Sequence, residues 1–233
     1  MREEAPVHIR EHGGLLALPE KKALLWLARQ TPSCINSDHL TLLGLASMLM
    51  AGASYWLARW NKFALILAVV ALALNWLGDS LDGTLARFRG CQRPQYGYYV
   101  DHVIDLFGTT ALLAGLALSG YMNHLISTVL LAVFALVEAE VFLATYVQRV
   151  FRLSCFRFGP TELRIILAIG TLYLLHDPWV HLGGKGPILL FDVGGIAAIA
   201  ALLAAFVYSA IRNARALYRA EPPVATRSSG ENS

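Results

Sequence analysis

The sequence predicts an all-α polytopic membrane protein, with six transmembrane helices preceded by an N-terminal amphipathic interfacial helix. Three observations predict it. Of 233 residues, 56% are hydrophobic and only 15% are charged, against about 25% charged in a soluble domain. Mean hydropathy is +0.52. Six hydrophobic segments follow one another without a linker, centred on residues 40–58, 63–87, 97–118, 122–148, 162–176 and 188–210. Finally, an even number of spans with the N-terminus inside leaves only Arg59, Lys62 and Lys185 on the far side, so sixteen of the nineteen Lys and Arg residues are cytoplasmic. That bias is the positive-inside pattern. A net charge of +3 is small, and no nucleic-acid partner is implied.

Taken in order, residues 1–14 are polar and end in Gly13-Gly14. No apolar run follows a short basic start, so a cleavable signal peptide is not expected. The stretch LLALPEKKALLWLARQ places Pro19 in a first helical turn and interleaves Lys21, Lys22 and Arg29 with Leu24, Leu25, Trp26 and Leu27. It reads as a helix lying on the bilayer, with basic residues toward headgroups. A span needs about 20 residues. The first, fourth and sixth segments pass easily, while the third and fifth qualify only if their polar ends face the bundle interior. Intramembrane acids normally face inward and mark function. The expected organisation is residues 1–36 as a cytoplasmic segment with the interfacial helix, 37–213 as the six-helix domain and 214–233 as a disordered cytoplasmic tail. Both termini are then cytoplasmic. Cys34, Cys91 and Cys155 show neither CxxC nor Cys/His pairing, so a zinc site and a disulfide framework are not expected.

The stretch with chemistry in it is Asp79–Asp105, DSLDGTLARFRGCQRPQYGYYVDHVID. Asp79 and Asp82 sit three apart, Asp101 and Asp105 four apart, and each spacing puts the pair on one helix face. Two helices meeting at the turn near Pro94 would point four carboxylates into one space. Carboxylates so close repel unless protonated or neutralised. Hard divalent cations take oxygen ligands and are shared with substrate phosphates. The residues alone therefore suggest a metal site for a phosphorylated ligand, at the cytoplasmic face.

This stretch resembles the CDP-alcohol phosphotransferase (CDP-alcohol phosphatidyltransferase) family, whose pattern is D-x2-D-G-x2-A-R, a spacer, then G-x3-D-x3-D. Asp79, Asp82, Gly83, Ala86, Arg87, Gly97, Asp101 and Asp105 fill all eight fixed positions over 27 residues. The resemblance implies transfer of a phosphoalcohol or phosphatidyl group from a CDP-alcohol or CDP-diacylglycerol donor to an alcohol or lipid acceptor in phospholipid synthesis, releasing CMP. It implies Mg²⁺ or Mn²⁺ on Asp79, Asp82, Asp101 and Asp105, with Asp105 also the general base. Gly83, Ala86, Arg87 and Gly97 would lie at the nucleotide. Homodimerisation rests on the resemblance alone. Ser37-Asp38-His39-Leu40-Thr41 partly matches a P-N-x-L-T element of the family, and Thr41 is either a nucleotide-phosphate contact or a plain helix cap.

His102 gives D-H-x-x-D, as in the choline and ethanolamine phosphotransferase branch, and is a candidate acceptor contact or a packing residue. Arg164 either pairs with Glu162 or holds an anionic acceptor. Glu138 and Glu140 are two apart, so they point to different faces of one span. Two other readings compete. An intramembrane prenyltransferase shares the N-x3-D and D-x3-D spacings of Asn75-Asp79 and Asp101-Asp105, but lacks D-G-x2-A-R. A small transporter would spread its acids along a pathway rather than gather them at one face.

Overall fold

The computed structural model describes residues 17–148, 160–181 and 186–221. Its elements are α1 (Ala17–Gln30), α2 (Ser37–Leu57), α3 (Ala64–Phe88), α4 (Pro94–Ser119), α5 (His124–Gln148), α6 (Pro160–Leu174), the strands β1 (Trp179–Val180) and β2 (Ile188–Leu189), and α7 (Leu190–Ala220). The chain is an all-α membrane protein, as expected. Helices α2, α3, α4, α5 and α7 are long and apolar enough to cross a bilayer. The fifth hydrophobic segment forms α6, whose 15 residues reach about 22 Å at 1.5 Å per residue. The antiparallel pairing of β1 with β2 before α7 has no counterpart in the hydropathy pattern, because two-residue strands leave no periodicity to read. Residues 214–220, expected to open a disordered tail, instead continue α7 to Ala220; Arg149, Arg152, Arg157, Lys185, Cys155, the polar start at 1–14 and residues 222–233 of that tail lie outside the described residues.

Helix α2 is the hub and packs along both α3 and α4. Small residues make this possible. A Cβ on Gly78 would lie 2.6 Å from the Gly44 nitrogen and the Leu40 carbonyl, and one on Gly115 would lie 2.0 Å from the Gly52 carbonyl. Backbones therefore cross in direct contact, the usual means of helix association in lipid. The main core joins Ala51 and Tyr55 of α2, Leu65 and Ala68 of α3, Leu112 and Leu116 of α4, and Phe191 of α7. Tyr55 and Thr171 share a hydroxyl–hydroxyl bond of 2.5 Å that ties α2 to α6. Ser127 Oγ donates to the Leu113 carbonyl at 2.7 Å, tying α5 to α4.

Helix α1 has the two faces its sequence predicts. Leu24 and Ala28 are buried with Leu40, Leu81 and Leu85 in a second core, while Trp26 is 61% exposed and Lys21 and Lys22 are exposed. Its first turn is also pinned by polar contacts. Glu20 Oε1 accepts from Trp76 Nε1 at 2.9 Å and from Thr161 Oγ1 at 2.8 Å. One carboxylate thus joins α1 to both α3 and α6.

Candidate active site

Helix α3 carries Asp79 and Asp82 near its C-terminus, and α4 carries Asp101 and Asp105 near its start. The turn between them is fixed at both sides. Gly90 adopts φ 67°, a left-handed conformation that suits a residue without Cβ. Pro94 begins α4, where its missing N–H costs nothing. Arg89 donates to the carbonyls of Thr31 and Pro32, both at 2.9 Å. Arg93 pairs with Asp38 at the start of α2 and lies 4.2 Å over the Tyr96 ring. The contact of Gly78 with α2, one residue before Asp79, sets which face of α3 turns inward.

Thr41, Gly44, Asn75, Asp79, Asp82, Asp101, Ile104 and Asp105 line one cavity. All four signature aspartates meet there, as the i, i+3 and i, i+4 spacings predict. Asp82 is buried and Asp105 is the exposed one, with Asp79 and Asp101 between. Thr41 Oγ1 donates to Asp82 Oδ2 at 2.7 Å, and Ser37 Oγ donates to the Asp82 carbonyl at 2.9 Å. The cap of α2 is Asn36, in a reciprocal box with His39, so Thr41 is not the cap. It orients a signature carboxylate instead. Arg164, from the start of α6, donates to Asp79 Oδ2 at 2.6 Å, its side chain only 18% exposed.

The other sequence-selected residues are not among those that line this cavity. Arg87 folds back along α3, its Nη1 3.4 Å from where a Gly83 Cβ would stand and its Nη2 3.2 Å from Thr84 Oγ1. Ala86 is half-buried on the same helix. A Cβ on Gly97 would meet nothing within 4 Å. His102 faces the α4–α5 packing: its ring lies 4.2 Å from Tyr98 and 5.3 Å from Phe142, with Nδ1 2.6 Å from the Tyr98 carbonyl. Glu138 is within electrostatic reach of His102 and Asp105. Glu140 points the other way, accepting from Ser209 at 2.9 Å and Asn213 at 2.7 Å on α7.

Four carboxylates with neutral oxygen neighbours form the all-oxygen donor set that suits a hard divalent cation. Among the described residues no three His, Cys, Asp or Glu side chains converge into a ready-made ligand cluster. The physical reason is visible. Asp79 turns to Arg164, and Asp82 to Thr41 and its neighbouring Gly83 N–H. Like charges repel, and these carboxylates turn onto local donors instead. The donor chemistry fits a divalent metal.

Sequence reasoning missed Asn75 as a site residue, although it shares the inward face of α3 with Asp79 and Asp82. It is buried, and Nδ2 donates to the Gly44 carbonyl at 3.0 Å. The N-x3-D spacing was the available signal.

The fold and site together define a polytopic membrane protein with a four-aspartate, oxygen-rich cavity at one end of its bundle, of the kind that handles phosphates. Residues 35–211 match the CDP-alcohol phosphatidyltransferase family, and the chain belongs to that family. Over 89 residues it is 34% identical to the archaetidylinositol phosphate synthase of Pyrococcus horikoshii, a stretch covering 38% of this chain and 44% of that relative. The chain thus spans less than half the length of this curated relative.

Proposed function

We propose that the chain is a metal-dependent transferase that moves a phosphoalcohol or phosphatidyl group from a CDP-linked donor to an acceptor hydroxyl, releasing CMP, in phospholipid synthesis. The observation that carries this reading is the meeting of all four signature aspartates in one cavity, within a chain whose residues 35–211 match the family. In the reaction, the acceptor oxygen attacks the phosphorus that bears the donor alcohol. A new P–O bond forms, the bond from that phosphorus to the bridging oxygen breaks, and CMP departs with that oxygen. Asp105 takes the proton of the attacking hydroxyl. Its exposure on the cavity wall suits a base that must reach substrate. Asp79, Asp82 and Asp101, with Asp105 completing the set, would hold Mg²⁺ or Mn²⁺, which supplies charge neutralisation at the pyrophosphate.

Thr41 keeps the Asp82 carboxylate aimed at the cavity. Gly83, Ala86, Arg87 and Gly97 flank the turn and form the nucleotide side, where missing or small side chains let the cytidine come close. Arg164 is the candidate contact for an anionic acceptor. Paired with Asp79, which lines the cavity, it would exchange that partner for the acceptor's charge. His102, turned toward α5, is the second acceptor-side candidate. The substrates reach the site from the bilayer and from the cytoplasmic face, where the positive-inside bias puts it, with both termini on that side. Residues 37–213 form the catalytic domain, which acts as a homodimer.

The test is release of CMP from CDP-diacylglycerol and a panel of CDP-alcohols by the purified chain in nanodiscs, with glycerol 3-phosphate, inositol phosphate, serine and diacylglycerol as acceptors. CMP release that requires both donor and acceptor is expected. Its absence with every pair would overturn the reading.

A further inference from the structure

One carboxylate oxygen away from the cavity gathers donors from two helices of the site. Glu20 belongs to the first turn of α1 and does not line the cavity. Its Oε1 accepts from Trp76 Nε1 at 2.9 Å and, more loosely, from Ser80 Oγ at 3.5 Å, both on α3. The same oxygen accepts from Thr161 Oγ1 of α6 at 2.8 Å.

The places of those donors carry the argument. On α3, Trp76 and Ser80 bracket Asp79, with Ser80 its chain neighbour. On α6, Thr161 lies three residues before Arg164, about 4.5 Å along the axis and on the same face. Arg164 in turn donates to Asp79 Oδ2 at 2.6 Å. Helices α3 and α6 are thus bridged twice within about one turn, once through Glu20 and once through Arg164 itself. Fastening α1 to α3 needs only the donors from Trp76 and Ser80. The bond from Thr161 adds the start of α6, the turn that carries Arg164.

The two bridges have different fates in the proposed reaction, on which this inference rests. The Arg164–Asp79 pair opens when Arg164 turns to the acceptor's charge. The Glu20–Thr161 bond involves neither of those groups and stays closed. An arginine side chain has many rotamers to lose, so where its guanidinium can settle depends on where its Cα stands. A shift of about 1 Å in a positioning group can cost about 10²-fold. The far part of α6 is held separately, by the Thr171–Tyr55 bond of 2.5 Å. Glu20 holds the near end while Arg164 changes partner.

We infer that Glu20 is a positioning residue for the acceptor side of the site. Through Thr161 it sets the start of α6 against α3, and so fixes where Arg164 meets the acceptor. It acts through Arg164, not on substrate.

The experiment is a double-mutant cycle with the purified chain in nanodiscs. CMP release is measured with Mg²⁺, CDP-diacylglycerol as donor, and glycerol 3-phosphate or inositol phosphate as acceptor. Glu20→Leu should raise acceptor KM by about 10-fold, the scale of one weakened hydrogen bond to a charged group, while donor KM holds. Thr161→Val loses only the hydroxyl and should act in the same direction. Glu20→Gln keeps an accepting oxygen and should stay near wild type. With Arg164→Met in place, Glu20→Leu should add nothing further, because residues that act as one unit are not additive. Additive losses in the double variant would overturn the inference. So would equal rises in donor and acceptor KM, an unchanged acceptor KM in Glu20→Leu, or a loss in Glu20→Gln as large as in Glu20→Leu. Should Glu20→Leu not fold, Thr161→Val takes its place in the cycle. Calorimetric binding of glycerol 3-phosphate and inositol phosphate in the presence of Mg²⁺ makes the same comparison without turnover. Binding weakened by Glu20→Leu, with no CMP release from any donor and acceptor, would overturn the proposed reaction and support the positioning role. Binding that is absent in the wild-type chain, or unmoved by Glu20→Leu, would overturn the positioning role.

Discussion

Two polar clusters lie within the helices of this bundle, and they are built on opposite principles. Between α5 and α7, Glu140 has each oxygen matched: Oε2 accepts from Ser209 at 2.9 Å and Oε1 from Asn213 at 2.7 Å. Between α2, α3 and α4, four aspartates and the Asn75 carbonyl crowd around a cavity, with Thr41 and Arg164 donating to two of them. A carboxylate in lipid is costly. Where donors match acceptors, the cluster serves as glue. Where acceptors exceed donors around a cavity, a cation and a substrate are expected to make up the difference.

The predictions probe that contrast, and the largest effect belongs to the metal. Excess EDTA should abolish CMP release by the chain, and Mg²⁺ or Mn²⁺ should restore it; full activity in EDTA would remove the reason for the aspartate surplus. Next comes the base. Asp105→Asn keeps shape but loses basicity, and turnover should fall by about 10²- to 10⁴-fold while donor still binds. Asp101→Asn should instead weaken metal affinity, so that raised Mg²⁺ partly rescues it. Rescue of Asp105→Asn by Mg²⁺ would reverse those assignments.

A smaller and different effect is expected in the matched cluster. Glu140→Leu leaves the Ser209 and Asn213 donors without their acceptor, which should cost about 1–3 kcal/mol of stability and lower the thermal midpoint in detergent. The acceptor KM should hold; a change there with unaltered stability would place Glu140 in the site. The mildest test touches geometry alone. With Cys34 and Cys155 changed to Ser, Cys91 at the α3–α4 turn should resist an impermeant thiol reagent in sealed cells. Strong labelling from outside would invert the orientation.

Much of this was legible in the sequence, because membrane folding uses few rules. Long apolar runs must become helices to satisfy their backbones, and i, i+3 and i, i+4 spacings fix a face whatever the tertiary context. The segment at 63–87 therefore became α3, and Asp79 and Asp82 faced Asp101 and Asp105. Long-range partners were not legible. Nothing local says that Thr41 reaches Asp82 across 41 positions, that Arg164 reaches Asp79, or that Glu20 joins three helices. Asn75 was visible on the right face, yet its burial and its bond to the Gly44 carbonyl are revealed only by packing. The paired two-residue strands before α7 were too short to leave a pattern.

The most direct measurement sets the two clusters side by side. Mg²⁺-dependent CMP release would be measured in nanodiscs for the wild-type chain, Asp105→Asn and Glu140→Gln under one set of conditions. The account predicts that Glu140→Gln stays within a few-fold of wild type while Asp105→Asn loses at least about 10²-fold. Near-normal turnover in Asp105→Asn, or an equal loss in Glu140→Gln, would contradict it.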